Sequence, residues 1–254
     1  MNEQKKFRKC TFPGCKISIC DRIGYLIEIK PSQNIMLWYR IKIGSVYLLL
    51  MAGGGWHVFG MFQSTMQSLA SFMMAALCIL QVWEYLRFQN DKQKKIYFFL
   101  WTLFVYTISF AIEWIGVTTG AVFGRYEYSS LLQPIVYNVP LVIGLAWLGI
   151  STGSITLARY VLGTYFRHRW LAAGLSAVFM TLFDFLMEPA AMKLNYWRWL
   201  SSTIPLQNYF AWFLVGFVLV MPALHLNLFG DKPPTLIVHV YTAQLLYFLM
   251  VYAA

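Results

Sequence analysis

SFAIEWIGVTTGAVFGRYEY, residues 109–128, begins as chain soluble in lipid and then sets Glu113 inside it. Glycines follow at 116, 120 and 124, and Glu127 then stands between two tyrosines. A carboxylate in hydrocarbon costs ~2.5 kcal/mol or more on insertion scales, so it calls for a partner, a cavity or both. That the surroundings are hydrocarbon follows from composition. The 254 residues are 59% hydrophobic, 18% aromatic and 12% charged, where a soluble domain carries roughly 25% charged residues. The expected fold class is an all-α integral membrane protein.

Outward from this stretch, apolar segments recur at about 43–62, 66–88, 96–122, 135–158, 170–188, 209–229 and 235–253. Each is near the ~20 residues that cross a bilayer core. The expectation is a bundle of about seven transmembrane helices, residues 41–254, behind a basic cytoplasmic extension, residues 1–40. That extension lacks an apolar core of the 7 to 15 residues a cleavable signal needs, so insertion is expected to rely on the first span. With the N-terminus inside, 17 Lys/Arg fall on the inner side and only Arg125, Lys193 and Arg198 on the outer. This asymmetry follows the positive-inside rule. It also accounts for the net charge of +10 without nucleic acid as a partner. Cys10, Cys15 and Cys20 have neither the tight paired spacing nor the nearby histidine of a zinc site, and no metal site is expected. Cys78 reads as packing in a span.

Four acids stand apart from the solvated and interfacial set of Glu3, Asp21, Glu28, Glu84, Asp91 and Asp231. At ~1.5 Å per residue, Glu113 in the third span and Asp184 and Glu188 in the fifth reach similar depth, in the outer third of the membrane. Glu127 is expected to cap the same end of the third span. Asp184 and Glu188 are spaced i, i+4, so one helix face presents both about a turn apart. Two carboxyl groups that close do not both ionise cheaply in low dielectric, which leaves a neutral acid beside a base. The expectation is that Glu113, Asp184 and Glu188 share one cavity and form the catalytic set, with Asp184 as proton donor.

Each feature also has a plainer reading. Glu113 alone would serve as a hydrogen bond between spans, and the Asp184/Glu188 pair would serve in a water-filled vestibule. Glycines at four-residue spacing let helices approach closely, though Gly120 and Gly124 would also leave room for a slim ligand. His57 lies at comparable depth and reads more simply as a satisfied histidine, and His225 and His239 look structural. Trp56, Trp114, Tyr126, Tyr128, Tyr137, Trp197, Trp199, Tyr209 and Trp212 form an outer aromatic group that a membrane interface alone would explain. Beside the acids, they also suit a developing carbocation, because aromatic faces attract positive charge. Asn138 and Asn208 each stand at the outer start of a span with donor and acceptor groups for a water.

EWIGVTTGAVFGRYEY (113–128), YNVPLVIGLAWLGI (137–150), DFLMEPAAMKLNYWRW (184–199) and PLQNYFAWF (205–213) together resemble the multi-pass membrane carotenoid biosynthesis proteins. That family includes carotenoid 1,2-hydratases of the γ-carotene and bisanhydrobacterioruberin type. The resemblance covers residues 43–254, with no departure in these motifs. It implies a hydro-lyase of the cell membrane that uses no cofactor. Its substrate would be a linear carotenoid with a terminal C1=C2 double bond, and its partners other carotenoid biosynthesis enzymes. An acid would protonate the alkene, aromatic faces and a carboxylate would hold the tertiary cation, and water would add.

A polyene cyclase would share the protonation and exclude the water. A prenyl transferase lacks its aspartate-rich diphosphate motif here. A retinal photoreceptor needs a lysine inside a span, and all eleven lysines fall outside span interiors. A proton-coupled transporter would use intramembrane acids as relays, but no internal repeat is visible.

Overall fold

A computed structural model describes residues 33–201, 203–230 and 232–254. Seven helices stand among them: α1 Gln33–Val58, α2 Gln63–Phe88, α3 Lys92–Thr119, α4 Val142–Leu162, α5 Arg169–Lys193, α6 Leu206–His225 and α7 Thr235–Ala253. A 3-10 turn, Gly163–Arg167, joins α4 to α5. Six of the seven, α2 to α7, are long and apolar enough to cross a membrane. α1 has the length, but Arg40, Lys42, a run of three glycines and His57 dilute its apolar face. The protein is an all-α integral membrane bundle. The basic extension expected over residues 1–40, with Cys10, Cys15, Cys20, Glu3, Asp21 and Glu28, lies largely outside the described residues, as does Asp231.

α4 is the central helix, with 78% of its apolar segment buried. It packs against α2, α3, α5 and α7. Small residues make this possible. A Cβ on Gly144 would come within 2.7 Å of the Tyr106 ring, and one on Gly153 within 2.7 Å of Tyr241. α5 contributes Ala172, Ala173, Ser176 and Ala177, all fully buried, and packs most extensively on α6. The outward faces carry exposed Leu48, Phe72, Phe99, Leu103, Trp170, Phe210 and Leu214. In water such a surface would aggregate; in a bilayer it is the lipid contact.

Asp91 caps α3, its side chain accepting from the amides of Gln93 at 2.8 Å and Lys94 at 3.3 Å, which satisfies two of the helix's free N–H groups. The expected third span, 96–122, ends early, at Thr119. The expected fourth, 135–158, starts late. Residues 135–140 instead form a hairpin, β2 Ile135–Val136 against β3 Val139–Pro140, after β1 Tyr126–Tyr128. Tyr137 and Asn138 make its two-residue turn with φ of 51° and 63°, the left-handed pair such hairpins require.

Glu84 departs from the solvated role expected of it. It is fully buried and accepts from Lys42 Nζ at 3.2 Å. A buried carboxylate needs a paired charge, and the lysine one helix away supplies it. Cys78 is buried, as its apolar span suggested.

Alternation of the helices puts the α1–α2, α3–α4 and α5–α6 connections on one face of the bundle, where strands Tyr126–Tyr128 and Trp197–Trp199 pair, opposite the α2–α3, α4–α5 and α6–α7 connections. From the lysine and arginine asymmetry the first face is expected to lie outside. With Cys10, Cys15 and Cys20 replaced, a membrane-impermeant maleimide is expected to label Ser130→Cys in intact cells and Gln93→Cys only after permeabilisation. The reverse pattern would invert the assignment.

Candidate active site

The end of α3 builds the first half of the site. Gly120 terminates the helix in the left-handed region (φ 68°), its N–H bonding the Gly116 carbonyl at 2.8 Å. Gly124 takes φ 111° and lies under Trp199 and Pro205. Both are conformations that favour glycine. The chain therefore folds back beneath α3, and β1 pairs antiparallel with β4, Trp197–Trp199. The register sets Tyr126 opposite Trp199, Glu127 opposite Arg198 and Tyr128 opposite Trp197. Strand side chains alternate between faces. Both tyrosines and both tryptophans thus turn inward, while Glu127 and Arg198 pair at 2.8 Å in solvent. Glu127 is a surface ion-pair partner on β1, not a cap of the third span.

The inward face converges on the carboxyl groups. Glu113 Oε2 accepts from the Tyr126 hydroxyl at 2.5 Å and the Tyr128 hydroxyl at 2.9 Å, and Oε1 from the Trp147 indole N–H at 2.8 Å. Glu188 Oε2 accepts from both strand indoles, Trp197 at 2.9 Å and Trp199 at 2.8 Å. Asp184 Oδ2 accepts from the Asn208 amide at 2.7 Å. Asp184 Oδ1 is buried with no hydrogen-bond partner among the described residues. Trp147 and Trp212 stack with centroids 3.8 Å apart. Burial, and then the charge of Glu113, push the Tyr126 and Tyr128 phenols well above the usual tyrosine range. Both stay protonated and remain donors.

Glu113, Asp184 and Glu188 line a single cavity of about 40 Å³ with Tyr126, Tyr128, Trp197, Trp199, Asn208, Trp147 and Trp212. That is room for ordered water beside the acids. Of the residues expected at the site, those three acids and Tyr126, Tyr128, Trp197, Asn208 and Trp212 meet here. The others stand elsewhere. Trp114, one residue on from Glu113, points about 100° around the helix and is exposed, its ring 5.6 Å from Tyr137. Asn138 belongs to the exposed hairpin turn. His57 is near the end of α1, its ring 6.0 Å from Tyr247. Gly120 and Gly124 shape the return loop without lining the cavity. The inferred helix–helix role of the three glycines gives way to a different one. Gly116 admits the chain's own loop, since a Cβ there would meet the Phe123 ring at 2.8 Å and the Tyr126 hydroxyl at 3.3 Å.

Gly116→Ala is therefore expected to displace Phe123 and loosen the Tyr126–Glu113 contact. A destabilisation of about 1–3 kcal/mol, read as a lower midpoint of thermal unfolding in detergent, is the expected result; an unchanged midpoint would contradict the close packing.

Eight lining residues were not named as site residues in the sequence: Trp147, Phe123, Ile143, Ala146, Ile150, Met187, Met74 and Trp199, the last placed only in the outer aromatic group. Trp147 sits in the fourth span's outer turns once that span is started at Val142, and counting depth from there would have found it. Trp199 follows from pairing YEY with WRW. Met74 carries no signal.

A polytopic helical membrane protein with three buried carboxyl groups in an aromatic chamber near one membrane face is the class that fold and site define. Residues 66–253 match the model of the carotenoid biosynthesis protein family, and the chain belongs to that family. A curated relative, the bisanhydrobacterioruberin hydratase of Haloarcula japonica, is 26% identical over 117 residues, covering 44% of this chain and 40% of the relative. The match thus spans well under half of that protein's length. No solved structure matches.

Proposed function

We propose that the protein hydrates the terminal C1=C2 double bond of a linear carotenoid to give a tertiary alcohol. The observation that carries this reading is the unequal engagement of the carboxyl groups. Glu113 has both oxygens occupied by donors, three in all, and Glu188 holds two indole N–H groups on one oxygen. Of these three, only Asp184 keeps a fully buried oxygen without a partner among the described residues. That oxygen is free to carry a proton and release it to C2, which bears one hydrogen. The positive charge then rests on C1, which bears two methyl groups. The carboxylate of Glu113 and the faces of the tryptophan pair stabilise it. Water adds at C1, and Glu188, a turn from Asp184, accepts the proton that the water loses. A proton moves from Glu188 back to Asp184 to restore the starting state, and the sum is alkene plus water to alcohol. The Haloarcula relative is named a hydratase, which supports the same reaction class.

The test is pigment extracted from a host that makes a linear carotenoid with an isopropylidene end, with and without this gene. The expected product is heavier than the substrate by one water, or by two if both ends react. A new pigment of unchanged mass would indicate a cyclase. Unchanged pigment would count against enzymatic action on this end group.

A further inference from the structure

A second cavity, about 150 Å³, lies between the outer half of α1, α2 and α7. Leu50, Met66, Met73, Leu77, Tyr247 and Phe248 are among the side chains that form it. Met74 lines both this cavity and the acid chamber. Tyr196, also in its wall, immediately precedes Trp197 of that chamber. The two spaces are therefore neighbours. On its other side the cavity reaches Leu49, Trp56 and Leu69, which are exposed on the lipid-facing surface. Two polar contacts anchor the inner half of α1, Lys42 to Glu84 at 3.2 Å and Tyr47 to His239 at 3.2 Å. The cavity lies between part of its outer half and the bundle, which α1 meets again where Gly54 packs against Met250.

The lining selects among apolar ligands. It presents no charged side chain. Tyr196 and Tyr247 hydrogen-bond to each other, and Gln244 turns its amide onto the Val240 carbonyl at 3.3 Å. A lipid headgroup or a quinone carbonyl finds no committed partner, whereas methionine sulfur and aromatic rings suit a π-rich hydrocarbon. The acid chamber holds little more than an end group and water, so a long substrate must leave it by an apolar route. We infer that the α1–α2–α7 cavity is the chain subsite. It admits the polyene of a linear carotenoid sideways from the bilayer, and Met74 marks the junction where the terminal double bond passes to the acids. This rests on the proposed hydration only for the identity of the end group.

The experiment is binding. Protein purified in detergent from a host making a linear C40 carotenoid is expected to carry pigment, measured by absorbance per protein. Ala70→Phe fills the cavity and is expected to lower bound pigment at least about tenfold, while Val178→Phe, on the lipid face of α5, retains it. Independently of how Ala70→Phe folds, p-benzoylphenylalanine in place of Leu69 is expected to crosslink pigment, and in place of Val178 it is not. Wild-type pigment content in a well-folded Ala70→Phe, crosslinks from Leu69 to phospholipid alone, or pigment-free wild-type protein would each overturn the subsite. Bound and crosslinked pigment with no hydrated product would support the subsite and remove the hydration reading.

Discussion

Asp184→Asn is expected to lower hydration by at least ~10² while leaving bound carotenoid unchanged. The asparagine keeps the shape of the side chain and its carbonyl still accepts from Asn208, which donates at 2.7 Å in the native protein. What it loses is the acid proton on the oxygen that no other group engages. Single-turnover product formation by the purified variant, with pigment content measured on the same sample, separates chemistry from binding. Full activity in Asp184→Asn, with an inactive Glu113→Gln, would transfer the donor role to Glu113. Full activity in both would remove the acid cavity as the site.

Glu113→Gln is expected to cost roughly 10² in rate, with a stability loss as well. Three donors point at this carboxylate: two phenols and one indole. An amide offers one acceptor oxygen and one donor group. The indole N–H cannot reverse its role, so the glutamine oxygen must face Trp147. Its amide group must then face Tyr126 and Tyr128, whose hydroxyls can turn to accept. The network survives in altered polarity, but the negative charge beside the developing cation is gone. Tyr126→Phe keeps that charge and removes one donor, so its rate loss is expected to be the smaller of the two. A Tyr126→Phe that loses as much as Glu113→Gln would mean that Glu113 acts through position and not through charge.

The helices and their order were legible because a bilayer demands long apolar runs, and runs of that length leave little choice of structure. The convergence of Glu113, Asp184 and Glu188 was legible for the same reason, since rise per residue turns sequence position into depth. The ribbon that completes the site was not. YEY and WRW are three residues each and lie 71 residues apart in register, too short for a period and too distant for a hairpin signal. Their partners are recognised only after Gly120 and Gly124 have turned the chain. Asn138 misled because an asparagine at the start of a span reads equally well as a water ligand or as a left-handed turn residue. Glu84 misled because its lysine partner, Lys42, sits on another helix.

The central claim is that an acid of this cavity adds a proton to carbon before water adds to the neighbouring carbon. Incubating purified protein with a linear carotenoid in deuterium oxide tests it most directly. The account predicts a tertiary alcohol carrying one non-exchangeable deuterium per hydrated end, on the carbon next to the carbinol, and at least ~10²-fold less of that product from Asp184→Asn at equal pigment loading. Hydrated product without carbon-bound deuterium would contradict it.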